Sequence, residues 1–326
     1  MSATLLQVEA LRVVFRTRGG AVHAVDGIDF EVGAGEVLGI VGESGSGKSV
    51  MLRALLRLLH ANADVSGRVR WRGDDLLAMP EARLREVRGG QIAMVFQEPM
   101  AALNPVLSIG VQIDEALAAH TPLDRAARQA RARDLLGLVG IAAAAQRLEQ
   151  YPHEFSGGMR QRAMLAIALA SEPSLLLADE PTTALDVTIQ DQILQLLRQL
   201  VRELAMSLVL VTHDLGVVAE TCDRVAVMYA GRLCEIGPVA EVFANPRHAY
   251  TRALLRSMPG EGAAREMLVP IPGQPPRLDA PHVGCAFVPR CALVQPRCAG
   301  ERPALRDCGP DHASACFAAE LLATAP

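Results

Sequence analysis

Short, nearly unbroken apolar runs punctuate the chain. Residues 36–41 (Glu-Val-Leu-Gly-Ile-Val), 174–179 and 207–212 are rich in Val, Leu and Ile, the pattern of strands buried on both faces. With a further run at 223–229 they alternate with helical periodicity at 188–204 and 214–221. Alternating strands and helices predict an α/β fold with a parallel sheet core. Residues 5–40 are strand-rich, and residues 64–72 alternate as a hairpin strand, which predicts an N-terminal antiparallel β subdomain. Between 107 and 160, Leu117, Leu135, Leu136 and Leu138 recur among Arg and Ala, which predicts an inserted helical subdomain. Residues 259–281 are broken by Pro259, Pro270, Pro272, Pro275, Pro276 and Pro281 and predict an extended linker. The two domains expected are therefore 1–258 and 259–326.

Composition narrows the class. The chain has 326 residues, half of them apolar, enough for a main domain with an appendage. A net charge of −4 argues against a nucleic-acid surface or a polybasic membrane anchor. No apolar stretch reaches the length of about 18 residues that a membrane span needs. The first residues lack a basic segment ahead of an apolar one, so no secretory leader is expected. A soluble, cytosolic protein is the expectation. Aromatic residues are only 3% of the chain, so packing must rest on aliphatic side chains. Of the 32 basic residues, one is a lysine, Lys48, and its neighbours decide whether that matters.

Lys48 lies in Gly42-Glu43-Ser44-Gly45-Ser46-Gly47-Lys48-Ser49, between an apolar strand and a helical run from Val50 to Leu59. This fits G-x-x-x-x-G-K-S at every fixed position in strand–loop–helix context. The glycines let backbone N–H groups turn inward toward phosphate oxygens, and the helix N-terminus adds partial positive charge. Lys48 then reaches the β- and γ-phosphates of ATP, and the Ser49 hydroxyl ligates Mg²⁺. A second apolar strand ends in Asp179-Glu180. Asp179 is placed to hold Mg²⁺, and strand alternation turns Glu180 the other way, toward an attacking water. These features are those of a P-loop NTPase.

Phe155-Ser156-Gly157-Gly158-Met159-Arg160-Gln161-Arg162, between the two motifs, resembles the signature of ABC-type ATPases. A Ser hydroxyl and glycine N–H groups opening a helix at 157–170 offer a second anion site. The resemblance implies that Ser156, Gly157 and Gly158 cap ATP held by a partner subunit. It further implies that Gln97 is the Q-loop glutamine beside Mg²⁺, that His213 is the γ-phosphate switch, that Ala184-Leu185-Asp186 is the D-loop, and that Phe15 stacks on adenine. Phe96-Gln97-Glu98-Pro99-Met100, Leu103-Asn104-Pro105 and Ala178 to Thr188 resemble the dipeptide/oligopeptide importer subfamily. So does Asn245 to Thr251, with Ala249 replacing a proline in a motif expected to serve packing.

Seven cysteines are present. Cys222 and Cys234 read as small core residues. Cys285, Cys291, Cys298, Cys308 and Cys316 crowd the end of the chain, which in a cytosolic protein argues for metal rather than disulfides. Zinc sites commonly show closer Cys pairs, whereas irregular four-cysteine spacing suits an iron–sulfur cluster. Zinc and free thiols stay open. The subfamily resemblance implies a four-iron, four-sulfur cluster on Cys285, Cys291, Cys298 and Cys316, with Cys308 free.

The resemblance as a whole implies an ATPase that drives peptide import from the cytoplasmic face of the inner membrane. Its implied partners are a second ATPase subunit, in a heterodimer, two transmembrane permease subunits and an extracytoplasmic solute-binding protein. Nickel and glutathione are alternative cargoes, because no residue here touches cargo. A non-transport ABC ATPase, acting in DNA repair or on ribosomes, is the rival class. The chain lacks the heptad run, second cassette or basic stripe that this class would lead one to expect.

Overall fold

The computed structural model describes residues 4–183, 185–257 and 270–323. Ala184 of the expected D-loop, Pro259 and most of the first half of the expected linker lie outside the described residues. Along the first half of the chain run β1 (Thr4–Thr17), β2 (Gly20–Gly33), β3 (Val37–Val41), α1 (Lys48–Leu55), β4 (Ala63–Trp71), β5 (Asp74–Asp75), α2 (Glu81–Val87), β6 (Ile92–Val95), α3 (Pro99–Ala102), α4 (Ile109–His120), α5 (Arg125–Leu138), α6 (Ala144–Arg147) and α7 (Gly157–Ala168). The second half adds β7 (Leu175–Asp179), α8 (Val187–Glu203), β8 (Ser207–Thr212), α9 (Leu215–Thr221), β9 (Arg224–Tyr229), β10 (Arg232–Pro238), α10 (Val239–Ala244), α11 (Ala249–Arg256), α12 (Arg297–Gly300), β11 (Arg306–Gly309), β12 (His312–Ser314) and α13 (Ala319–Ala323). Two compact units result, one from residues 33–36 and 78–211, the other from 4–32, 37–77 and the chain from 212 onward.

In the first unit β6, β7 and β8 pair in parallel. Every residue of β7 and β8 is buried, which is why these strands read as continuous apolar runs. The helical part packs Ile109, Ile113 and Leu117 of α4, one per turn, with Ala132, Leu135 and Leu136 of α5. Leu138, expected in that core, is only half-buried, and Val139 takes the interior place. Ser108, Asp124 and Ser156 cap α4, α5 and α7, their side chains accepting backbone N–H groups two or three residues into each helix, and so satisfy donors that a helix start leaves open.

In the second unit β1 pairs antiparallel with β4 over a register from Leu6↔Trp71 to Phe15↔Ala63. Leu6, Val8, Leu11 and Val13 bury its inward face. β3 pairs in parallel with β9, and the sheet then turns antiparallel through β10, β12 and β11. The antiparallel extension was not expected; its outer strands β11 and β12, of four and three residues, carry no readable period. α1 also ends earlier than the expected Leu59, because Arg57 turns left-handed at φ 54° and Leu58 is exposed. Cys234 is buried in the core as expected. Cys222 is half-buried at its margin instead.

The expected linker is pinned where it is described. His23 N–H donates to the Leu278 carbonyl at 2.7 Å, and Ile271 and Leu278 pack on the core formed by Val225, Val227, Tyr229, Tyr250 and Phe287. The described stretch 270–281, with its five prolines, forms no core of its own and packs on that of its unit.

Candidate functional site

The glycine loop joins β3 to α1 in the second unit. Its shape is set by sterics. A Cβ on Gly42 would stand 2.1 Å from the Met228 carbonyl oxygen, and one on Gly47, at φ +99°, 2.3 Å from that of Ala24. No side chain fits at either place, and the left-handed backbone at Gly47 would strain any other residue. Lys48 is 5% exposed. Its Nζ donates to the carbonyls of Gly42 at 2.7 Å and Glu43 at 3.0 Å, so the loop carries a buried ammonium folded back on it. Ser44 and Gly45 are exposed, Ser46 is buried and Ser49 is half-buried. A glycine loop with an inward ammonium at a helix N-terminus is an arrangement that takes anions.

Glu43 is held by groups from the far end of the chain. Arg290, between β10 and α12 in sequence, is 8% exposed. Its guanidinium grips the Glu43 carboxylate with both arms, at 2.7 and 2.9 Å. It also donates to the Pro272 carbonyl at 2.8 Å and the Tyr229 hydroxyl at 3.2 Å. The Glu43 N–H donates to the Tyr250 hydroxyl at 2.9 Å. The Glu43 carboxylate raises the pKa of Arg290 further, and burial raises that of Tyr250, so both groups keep their protons at neutral pH. His248, Tyr250 and Thr251 are buried, as expected of a packing motif. Tyr250 does more than pack, because its hydroxyl meets the glycine loop.

In the first unit, Gln97 follows β6 and Glu180 follows β7. Gln97 Nε2 donates to Glu180 Oε2 at 3.1 Å, and the Thr183 hydroxyl donates to the same oxygen at 2.8 Å. Strand alternation does not aim Glu180. It lies past the end of β7 in a left-handed turn, φ 46°, with its N–H on the Val211 carbonyl at 2.9 Å. Asp179, the last residue of β7, is fully buried. Ser156 and Gly157 are exposed at the start of α7, with Gly158 half-buried behind them; the Ser156 hydroxyl accepts from Met159 N–H at 3.3 Å. Asp186 caps α8 by accepting from Ile189 N–H at 3.0 Å. In the second unit His213 is exposed just after β8, and Phe15 is half-buried on β1.

Cys285, Cys291, Cys298 and Cys316 all border one small pocket, closed on its other sides by apolar residues such as Phe287, Val288 and Phe317. Backbone N–H groups point at three of the sulfurs: Leu293 to Cys291 at 3.3 Å, Gln295 to Cys298 at 3.4 Å and Ala318 to Cys316 at 3.4 Å. Burial raises the thiol pKa values of Cys291 and Cys316, and pushes that of Cys285 up to about 11. Among the described residues no three His, Cys, Asp or Glu side chains are drawn together tightly enough to hold a metal ion. Cys308 stands apart, its thiol on the His312 carbonyl at 3.3 Å. The roles of Thr183, Tyr250 and Arg290 were not foreseen. Thr183 sat in a quoted motif without a part in it, Tyr250 was read as packing, and Arg290 was one arginine among many.

Two family models match the chain. Residues 25–183 match the ABC transporter family, and residues 234–298 match the oligopeptide/dipeptide transporter C-terminal region. A probable peptide ABC transporter ATP-binding protein of Sinorhizobium fredii is 50% identical over 316 residues, covering 96% of this chain and 94% of that protein. A putative peptide import ATP-binding protein of Brucella abortus is 50% identical over 303 residues, covering 93% and 91%. Among solved structures, a dimeric ATP-binding cassette in a post-hydrolysis state with ADP and Pi superposes with a TM-score of 0.65 at 27% identity, over 72% of this chain and 98% of that one. A subunit of an ABC transporter complex from Clostridium perfringens superposes with a TM-score of 0.63 at 30% identity, over 74% and 92%.

Proposed function

The chain belongs to the ATP-binding subunits of ABC transporters, ATPases by family, and on that premise we propose that it hydrolyses ATP to drive import of dipeptides or oligopeptides through a membrane permease. One observation carries the cargo: residues 234–298 match the oligopeptide/dipeptide transporter C-terminal region. Relatives sharing half of its residues over almost its whole length are named for peptide transport and peptide import. We assign residues 1–258 to the nucleotide-binding part and 259–326 to the extension; the subfamily's C-terminal match, 234–298, spans that boundary.

In this reading Lys48 and the N–H groups of Gly42–Ser49 bind the β- and γ-phosphates, and Phe15 stacks on adenine. Ser49, Asp179 and Gln97 would hold Mg²⁺, which when bound offsets the charge of the transferring phosphoryl group. The carboxyl- and hydroxyl-bearing side chains at these positions fit a hard cation. Glu180 accepts the proton of the attacking water. The water oxygen bonds to the γ-phosphorus, the bond to the β–γ bridging oxygen breaks, and ADP and phosphate are formed. Glu180 is anchored for this by Gln97 and Thr183. His213 contacts the γ-phosphate and registers its loss. Ser156, Gly157 and Gly158 of each subunit complete the nucleotide site of a second, different ATPase subunit. Two permease subunits and an extracytoplasmic solute-binding protein complete the importer, with this chain peripheral at the cytoplasmic face of the inner membrane. No helix among the described residues is long and apolar enough to cross a membrane.

Cys285, Cys291, Cys298 and Cys316 would hold a four-iron, four-sulfur cluster, which supplies a structural cross-link. Four thiols border one apolar pocket with N–H groups aimed at three of the sulfurs, donor chemistry that suits such a cluster, although as placed no three of them are drawn together as ligands. Iron and acid-labile sulfide analysis, against zinc, decides the metal.

Uptake of a labelled dipeptide, with nickel and glutathione in parallel, tests the function in cells carrying Glu180→Gln. Loss of dipeptide uptake alone is expected. Loss of nickel or glutathione uptake alone keeps the mechanism and changes the cargo. Full uptake of all three by cells with no second importer removes the transport reading.

A further inference from the structure

We propose that Arg290 is a positioning residue for nucleotide binding: it fixes the glycine loop through Glu43, so the C-terminal extension sets the affinity for ATP. This rests on the ATPase reading above. Glu43 is tethered from the loop itself, where the Ser46 N–H donates to its carbonyl at 3.2 Å, and at three further points. Arg290 takes its carboxylate with both guanidinium arms, the Tyr250 hydroxyl takes its N–H, and its carbonyl accepts Lys48 Nζ at 3.0 Å. The preceding carbonyl, of Gly42, accepts the same ammonium at 2.7 Å. The place of the Lys48 charge therefore depends on the Gly42–Glu43 peptides, and those depend on a side chain 247 residues further along.

Arg290 is committed to this task. Its remaining donors go to the Pro272 carbonyl and the Tyr229 hydroxyl, and its guanidinium lies against the rings of Tyr229 and Phe287, 5.8 and 5.9 Å from their centroids. A guanidinium buried on aromatic rings with a two-armed carboxylate partner is the geometry lysine cannot copy. The loop has steric limits at Gly42 and Gly47, yet nothing in those limits holds Glu43, which lies between them. Arg290 holds its carboxylate, and Tyr250 its N–H.

The test is ATP binding by the purified full-length chain, measured with a fluorescent ATP analogue and EDTA so that hydrolysis plays no part, below the melting temperature of every variant. Arg290→Met and Glu43→Gln are each expected to weaken binding about tenfold, the scale of one charge-assisted hydrogen bond. The double variant should bind no more weakly than either single, because both remove one interaction. Arg290→Lys should recover only part of the loss. Wild-type affinity in a folded Arg290→Met chain, with only a lower melting temperature, would make Arg290 purely structural and overturn the proposal. Additive losses in the double variant would do the same. Should Arg290→Met fail to fold, Glu43→Gln carries the same expectation, since Arg290 keeps its bonds to Pro272 and Tyr229. A wild-type chain that binds no ATP at all would instead remove the ATPase reading.

Discussion

The glycine loop and the C-terminal extension belong to one unit and are built on opposite logics. The loop is defined by backbone: Gly42 and Gly47 lie where any Cβ would collide with a carbonyl oxygen, and Lys48 folds back onto carbonyls. The extension is defined by side chains: four thiols on one pocket, an arginine gripping a carboxylate, and the Phe287 ring packed on Tyr229 and Tyr250 of the preceding chain. A backbone-defined site tolerates no addition, whereas a side-chain-defined site tolerates no deletion. The difference also sets what each can sense. Carbonyl sterics are fixed once the chain folds, but thiols and ion pairs answer to metal, oxidant and pH.

The largest effect should come from adding one methyl group to the loop. Gly47→Ala places a Cβ 2.3 Å from the Ala24 carbonyl oxygen at φ +99°. Left-handed strain alone costs about 1–3 kcal/mol, and the collision adds to it. ATP affinity should fall by about a hundredfold or more, since each 1.4 kcal/mol or so is tenfold. Near-wild-type affinity by titration would mean that the loop can retreat from Ala24 and is not backbone-defined.

The matching deletion belongs to the extension. On the cluster proposed above, Cys298→Ala should remove iron and sulfide together, with the visible absorbance of the purified protein, because one of the four thiolate ligands is lost. Cys308→Ser should leave both in place, since its thiol bonds the His312 carbonyl away from the pocket. Equal iron content in the two variants would dissolve the four-cysteine set.

The same contrast explains what was legible in the sequence. Continuous apolar runs marked β3, β7 and β8 because strands buried on both faces leave no alternation to misread. The glycine loop was legible because backbone constraints fix residue types at fixed spacing. Arg290 was not, because its partner Glu43 lies 247 residues away and an arginine among so many carries no local signal. The orientation of Glu180 was read for the wrong reason. Alternation was expected to aim it, whereas a left-handed turn does, and nothing short of the backbone reveals that. β11 and β12 escaped because three or four residues cannot show a period.

An intermediate effect should arise where both logics meet. Asp26 of β2 is 6% exposed and takes Arg12 of β1, Arg232 of β10 and Arg302 of the extension. Burial pushes its pKa up, but the three arginines outweigh that and hold it below 3.8. The native state therefore binds the proton less readily than the unfolded chain. The resulting stability is full above the unfolded value and is lost as pH falls through the lower native one. Asp26→Asn should cost about 1–3 kcal/mol at neutral pH and flatten this acid limb in urea titrations. An acid limb unchanged by the substitution would assign it to other carboxylates.

The smallest effect should come from a site that combines the two logics. Glu180 is turned by its backbone, at φ 46°, and tethered by two side-chain donors to one carboxylate oxygen. Thr183→Val removes one of those donors and keeps the shape. Losing the tether widens the carboxylate's range of positions, and misplacement by about 1 Å can cost a hundredfold. Gln97 still holds the same oxygen, so only part of that loss should appear. Turnover should fall about fivefold with ATP affinity unchanged, and Thr183→Ser should restore it. A rise in turnover would show that the left-handed turn and Gln97 aim Glu180 without help. Glu180 would then be backbone-defined, like the loop.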